Sequence, residues 1–387
     1  MKILHCCLAA FYIDKYGYQE NILPKHHKLQ GHDVRIVAST ETYLDNQRIG
    51  YVKPSRYVNE DGIRVARLSY VNWLPKLIAR KLRIYVGLVS ELENFSPDII
   101  FLHDVQFLSI VSIADYMKKN KHVRLYADGH TDFINSARSW VSREILHKII
   151  YRWCAKHIEP YTTCFFGVTP LRVKFFEEVY LIDKNKLDLL VLGVDDSVFN
   201  LNDAAAIRTR LRNDLGINDN DFVVVTGGKI DRRKNIHILM QVIADFDNEN
   251  IKLIVFGFPV DDLKSEFDML ASGDKIIAAG WVAPEKVYDY FFAADIGCFP
   301  GTHSVLWEQA VGVGLPCVFR KWNGIEHVDV GGNCLMVDEG NYQEIHEAIL
   351  KIYTDKELLA CMRRVAMNKG VPNFAYSKIA KKAIGQQ

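Results

Sequence analysis

The segment Gly227-Gly228-Lys229-Ile230-Asp231-Arg232-Arg233-Lys234-Asn235 decides how this chain is read. It follows Phe222–Thr226, an apolar run with the length of a buried strand, and precedes a stretch of helical spacing from Asn235 to Phe246. Two glycines let a backbone approach a ligand closely. Two to four cations then gather where a sheet's carboxyl edge meets a helix N-terminus, the place where open α/β sheets bind ligands. Such a place suits an anion, phosphate or diphosphate first. The segment is neither a dinucleotide fingerprint nor a P-loop, because it has no G-x-G-x-x-G and no Gly-Lys-Ser/Thr after a four-residue spacer.

Outward from this turn, short apolar runs alternate with amphipathic ones. In the second half Ile251–Phe256, Lys275–Ala279, Ile296–Phe299, Pro316–Phe319 and Cys334–Val337 read as strands. Glu285–Ala294, Trp307–Val313 and Tyr342–Tyr353 read as helices between them. The first half repeats the arrangement with strands at Lys2–Leu8, Val34–Ala38, Asp98–Leu102, Val123–Ala127, Cys164–Thr169 and Leu189–Leu192. Continuous apolar strands with helical crossovers mean parallel sheets covered on both faces. Two such sets predict two Rossmann-like domains, residues 1–192 and 193–370, joined near Gly193–Asp203 and followed by a C-terminal helix at 371–387 that returns to the first domain.

A second constellation runs from Phe299 to Ala310: FPGTHSVLWEQA. Gly301 ends the strand, and Thr302 or Ser304 is placed to cap the following helix. The first-turn N–H groups form a second anion site, with His303 beside it. Glu308 lies one turn beyond Ser304, and helical side chains lean towards the N-terminus, so its carboxylate points back at the cap. A carboxylate there repels phosphate but accepts hydrogen bonds from sugar hydroxyls. Phosphate at the cap with hydroxyls beside it describes a nucleotide-sugar site.

In the first half, His130 follows the strand Val123–Ala127 and is flanked by Asp128 and Asp132. It can act as a base, a sugar ligand or an imidazolium held by carboxylates. His103-Asp104 is a weaker candidate of the same kind, with a structural role favoured. Asp195-Asp196 and Asp261-Asp262 make no D-x-D pattern and read as surface turns, so no metal is expected.

The order of these pieces resembles the GT-B glycosyltransferases, closest to the retaining glycosyltransferase family 4. The resemblance rests on Gly-Gly-Lys…Lys-Asn, then Gly280-Trp281-Val282 with Ala294-Asp295, then the Glu308 helix, then Gly314-Leu315-Pro316. Gly193-Val194-Asp195 with Phe199, Gly324-Ile325-Glu326 and Gly331-Gly332-Asn333 extend it over nearly the whole chain. The resemblance implies two domains facing each other across a cleft. It implies that Lys229 and Lys234 neutralise the leaving diphosphate, with Gly228 in the loop between them and the sheet. Glu308 would hold the ribose hydroxyls, backbone near Val282 would meet the base, Gly17 would let its loop approach the diphosphate, and His130 would contact the donor sugar. The family's pair of glutamates eight positions apart is broken here. Counting back eight from Glu308 reaches Pro300. Alternatively, Pro300 matches the proline that normally ends the preceding strand, and the loop is four residues shorter. Either way the first glutamate is absent, and His303 or Ser304 would do its job. The sugar identity is therefore left open.

Composition agrees with a large globular enzyme. The 387 residues are 49% apolar and 25% charged, which argues against disorder and a membrane-embedded bundle. Eight scattered cysteines without C-x-x-C suit a reducing cytoplasm. The run Ile3–Ile13 lacks a small-x-small cleavage site and reads as a strand rather than a signal peptide. The net charge of +1 hides +7 over residues 1–190 and −6 thereafter. Much of the positive charge sits in Trp73–Gly87 and Ser136–Ile158, where Lys and Arg interleave with large apolar residues. Such segments fit an anionic membrane surface better than a nucleic acid, for which no binding module is present. The resulting expectation is a cytoplasmic, peripheral enzyme. It would move a sugar from a nucleotide-diphosphate donor to a hydroxyl of a saccharide or lipid-linked acceptor, with retention and without a cofactor. The alternatives are a nucleotide-sugar epimerase of the same fold and a non-catalytic sugar-nucleotide-binding protein.

Overall fold

The computed structural model describes residues 1–44, 48–132 and 140–386, apart from the side chains of Val141 and Ser142. The chain forms two compact units, Met1–Val191 with Ile379–Gln387, and Leu192–Lys378.

The first unit is built on an eight-stranded sheet. Its order is Leu187–Leu189, Thr162–Gly167, Arg124–Gly129, Ile99–His103, Lys2–Cys7, Asp33–Ser39, Arg64–Leu68, Ser55–Val58. Neighbours are parallel except the last, which pairs antiparallel at the edge. The apolar N-terminal run is a central strand, buried at every residue after Lys2. Strand order reverses between Lys2–Cys7 and Ile99–His103, which places the carboxyl end of Ile99–His103, and that of its neighbour Arg124–Gly129, at the switch point. His103 stands in register with Asp128 there.

Arg64–Leu68 was not expected, because arginines break its apolar pattern. Arg67 is buried all the same. Its guanidinium donates to the carbonyls of Ser39 and Tyr12 and to the Asp14 carboxylate, and these contacts offset the cost of burying a cation. The strand expected at Leu189–Leu192 is displaced to Leu187–Leu189, a half-exposed sheet edge where burial does not fix the register.

The second unit holds six parallel strands in the order Ile276–Gly280, Ile251–Phe256, Phe222–Gly227, Ile296–Phe299, Cys317–Arg320, Cys334–Val337. Phe222–Gly227 is wholly buried. Order reverses between it and Ile296–Phe299, so the glycine turn and the Pro300 loop leave the sheet side by side. The chain stays with this unit beyond residue 370. Val194 N–H donates to Phe374 C=O and Tyr376 N–H to Val194 C=O. The helix Tyr376–Ala383 therefore begins on the second unit, and Ile379 onward packs with the first.

Of the two basic segments, Trp73–Gly87 is helical only over Lys76–Leu82, where Arg83 in the left-handed region (φ 51°) ends it. Ser136–Ser139 lie outside the described residues. From there the segment is a π-helix, Val141–Tyr151, running into an α-helix, Arg152–Ile158. Among the described residues no helix is long and apolar enough to cross a membrane. Asp261 and Asp262 form the first turn of a helix, Asp261–Leu270, instead of a surface turn.

Candidate active site

In the second unit the chain leaves Phe222–Gly227 and turns at Gly228, whose φ of +105° strains any L side chain. A Cβ there would also lie 3.1 Å from Leu306. The four cations of this turn do not all converge. Arg232 pairs with Glu266 at 3.2 Å and Arg233 with Asp231 at 2.6 Å. Lys229 is exposed. Lys234 turns inward and donates through Nζ to the carbonyls of Thr302 (2.7 Å) and His303 (3.0 Å). Burial brings its ammonium down to about 8. Two lysines, not four cations, are left for an anion.

The Pro300–Ser304 loop is laid directly on this turn. A Cβ on Gly301 would fall 2.2 Å from the Lys234 backbone, so glycine alone fits. Thr302 N–H donates to Arg233 C=O (2.9 Å) and Trp322 Nε1–H to Gly301 C=O (3.0 Å). Between turn and loop lies a small pocket lined by Thr226, Gly227, Lys234, Gly301, Thr302, Ser304 and Trp307 among others. The Thr226 hydroxyl at its wall is buried without a hydrogen-bond partner.

The capping expectation fails here. The helix is Leu306–Gly312, and no side chain caps it. Trp307 N–H is taken by the Ser304 backbone carbonyl, so the serine hydroxyl is not needed.

Glu308 is fully buried, and one of its oxygens, Oε1, accepts from both His303 Nε2 (2.8 Å) and His327 Nε2 (2.9 Å). Burial alone would raise this carboxyl, but the two imidazoles more than reverse it and hold it far below the ordinary range. Oε2 has no partner. Glu308 therefore offers a buried anionic acceptor with one oxygen committed and the other unspent. His327 carries no sequence motif of its own, and its only signal is its position after Gly324-Ile325-Glu326.

The structure thus joins Gly228, Lys234, Gly301, Thr302, His303, Ser304 and Glu308 in one place. Val282 lies half-buried in the loop after Ile276–Gly280 and does not line the pocket. Gly17 and His130 belong to the first unit, Gly17 just before the helix Gln19–Leu29.

His130 Nε2 lies 3.5 Å from Asp128 Oδ1 and 3.9 Å from Glu20 Oε1. Burial alone would lower its pKa, and the two carboxylates instead lift it to about 9. Of the three roles open to it, the surroundings match an imidazolium held by carboxylates. The second carboxylate is Glu20, which no motif marks, and not Asp132, which pairs with Arg172 at 3.2 Å.

Two groups could present ligand atoms to a metal, Glu20–His103–His130 and His303–Glu308–His327. Both nitrogens of His103 are already committed to protein partners, and both imidazoles of the second group donate to Glu308. Both groups are accounted for by hydrogen bonds and ion pairs.

Two Rossmann-like units with loops leaving their sheets at the switch points make up the GT-B fold. Residues 207–369 match the family model described as glycosyl transferases group 1. The chain is 23% identical over 253 residues to a mannosylfructose-phosphate synthase of Agrobacterium fabrum, covering 61% of this chain and 53% of that protein. It is 33% identical over 115 residues to an alpha-monoglucosyldiacylglycerol synthase of Streptococcus pneumoniae, covering 28% and 26%. The match thus spans about half the length of the first of these relatives and about a quarter of the second. In fold it is similar to Anabaena Alr3699/HepE in complex with UDP, with a TM-score of 0.69 at 16% identity over 99% of this chain and 98% of that one.

Proposed function

We propose that this chain transfers a sugar from a nucleotide-diphosphate donor to a hydroxyl acceptor, with retention at the anomeric carbon and without a metal. The observation that carries the reading is the free, buried Oε2 of Glu308 beside the Lys234 loop. An ionised oxygen without a proton donor is costly to bury, and a ribose hydroxyl supplies the missing donor. Lys234 and the exposed Lys229 supply positive charge for the diphosphate as it leaves. His130, protonated near neutral pH, donates to a sugar hydroxyl. The solved complex of the Anabaena neighbour contains UDP, which supports a nucleotide donor.

The test is donor turnover with a panel of nucleotide sugars in excess chelator. Turnover persists, and Lys234→Ala lowers it by about 2–4 kcal/mol of transition-state stabilisation. Loss of turnover with chelator, restored by Mg²⁺ or Mn²⁺, overturns the metal-free part. Wild-type rates in the variant remove Lys234 from the mechanism.

The acceptor reading is a lipid-linked saccharide for a surface glycan, met at the inner face of an anionic membrane. Trp73 and Leu77 are 72% and 80% exposed beside Lys76 and Lys81, and Trp140 and Ile149 are 66% and 62% exposed on the second basic segment. Large apolar side chains held out among cations suit a lipid interface. Arg80 and Arg83 serve the fold as well, Arg80 lying 3.5 Å over the Tyr51 ring and Arg83 donating to Gln106 C=O. Lys76→Gln with Lys81→Gln therefore makes the clean variant. It weakens sedimentation with anionic vesicles, at ~1 kcal/mol per lysine, and leaves nucleotide binding unchanged. Wild-type protein that ignores such vesicles at low salt makes a soluble acceptor the better reading.

A further inference from the structure

Behind His130 a chain of imidazoles crosses the core of the first unit. His27 Nε2 lies 2.8 Å from the Ala380 carbonyl, His27 Nδ1 2.9 Å from His5 Nε2, and His5 Nδ1 3.0 Å from His103 Nε2. His103 Nδ1 lies 3.0 Å from Asp128 Oδ2, and Asp128 Oδ1 faces His130. All three histidines and Asp128 are fully buried. Sequence reading marked His103 weakly and His5 and His27 not at all.

The protons in this chain can be counted. Each of its four hydrogen bonds needs one. A backbone carbonyl only accepts, so His27 Nε2 carries a proton and, when neutral, its Nδ1 accepts. His5 must then donate through Nε2 and accept through Nδ1, and His103 must donate through Nε2. At the far end the Asp128 carboxylate also only accepts, so His103 must donate through Nδ1 as well. Acceptors at both ends leave three neutral imidazoles one proton short. The Ala380 carbonyl is open to this use because Ile384 N–H, which would close the helix onto it, donates to Lys381 C=O instead.

We propose that His27, His5 and His103 together hold four protons, the fourth making His103 an imidazolium against the Asp128 carboxylate, and that this pair is the positioning element behind His130. Burial and the neighbouring imidazoles push His5 far below its ordinary value and His27 to about 3, which leaves His103 as the place for the charge. Asp128 is then shared between two cations, His103 and His130. Its Oδ1 is further fixed by the Asp104 N–H at 3.1 Å. The other charged groups around His130 are Glu20 and Asp104, which favour its proton, and Arg172, which opposes it. The proton count stands on the first unit alone, and its bearing on sugar transfer rests on the role of His130 proposed above.

The test is long-range ¹⁵N–¹H correlation on the full chain labelled at histidine nitrogen, at pH 7. The expected result is protons on Nε2 alone in His5 and His27, and on both nitrogens of His103. A His103 protonated on one nitrogen overturns the proposal. His27→Gln keeps the count, because its amide donates to Ala380 C=O while its carbonyl accepts from His5. His27→Leu removes that relay and returns His103 to a single proton on Nδ1. The same count in both variants overturns the role of the Ala380 carbonyl. In His103→Gln the His130 titration moves up by about one pH unit, since a competing cation is gone. An unchanged or lowered midpoint refutes the positioning role. If the count holds and no sugar transfer is found with any donor, the chain survives and the reading of His130 falls.

Discussion

Asp128 and Glu308 are both fully buried carboxylates facing two imidazoles, yet they are built for different tasks. Asp128 spends both oxygens on the protein, Oδ2 on His103 and Oδ1 on the Asp104 N–H and His130. Glu308 puts both imidazoles on Oε1 and leaves Oε2 without a donor. A closed carboxylate fixes its neighbours, whereas an open one waits for a ligand. The difference follows from local geometry. The partners of Asp128 come from the adjacent strand in register and from the loop after its own strand. Those of Glu308 come from the Pro300–Ser304 loop and from the 3₁₀ turn Glu326–Val328, leaving its other side unmatched.

The sharpest way to break this contrast is Glu308→Gln. The amide keeps the shape but loses the charge, and it cannot accept from a ribose hydroxyl with ionic strength. A hydrogen bond to a charged group is worth up to about 3 kcal/mol, so nucleoside diphosphate affinity by calorimetry falls about a hundredfold. Asp128→Asn, in the other unit, leaves that affinity within about twofold. Equal losses in both variants would show that openness at Glu308 has no part in binding.

Most of the fold was legible in the sequence, because the buried parallel strands are continuous apolar runs. Ile251–Phe256, Ile296–Phe299 and Cys334–Val337 fall where the sequence places them. What escaped was Arg64–Leu68, the strand next to the edge, which carries a buried arginine satisfied only by tertiary partners. The site divides in the same way. Gly228, Lys234, Gly301 and Glu308 announce themselves by spacing, since glycine turns and helix positions are local facts. Glu20, His327, His5 and His27 do not, because each acts through neighbours far away in sequence. Two of the expected cations are lost in the same way, for Arg232 and Arg233 look free until Glu266 and Asp231 are seen beside them.

A smaller effect separates the two carboxylates by pH. His130 has a folded value of about 9, above its ordinary 6.5, owing to Asp128 and Glu20 overcoming burial. Its stabilisation is complete below pH 6.5 and is lost as pH rises through 9. Glu308 lies below its ordinary 4.5, so its stabilisation is present above that value and is lost only in strong acid. Of these two sites, the one that loses stabilisation in alkali is therefore His130, in the first unit. Discounted for its partial exposure, the loss amounts to about 2 kcal/mol, a few degrees in Tm. Thermal melts from pH 6 to 10 show a steeper decline in wild type than in His130→Gln, where the buried thiols Cys298 and Cys317 still contribute above pH 9. A variant that declines as steeply as wild type would place the titrating group elsewhere.

The smallest effect is expected where the sequence argument was most conventional. Ser304 stands where a capping serine belongs, and loss of such a cap ordinarily costs about 1 kcal/mol. Here the helix Leu306–Gly312 has no side-chain cap, and Trp307 N–H is satisfied by the Ser304 backbone carbonyl, which alanine retains. Ser304→Ala therefore changes stability by less than about 0.5 kcal/mol in urea unfolding. Ser304 lines the pocket beside Lys234, and under the proposed function its hydroxyl serves the ligand. The same variant weakens nucleoside diphosphate binding by about 1 kcal/mol, the worth of one neutral hydrogen bond. A stability loss of a full kilocalorie with unaltered binding would reverse this assignment. It would make Ser304 part of the scaffold, leaving Thr302 and the two lysines to hold the anion beside an open Glu308.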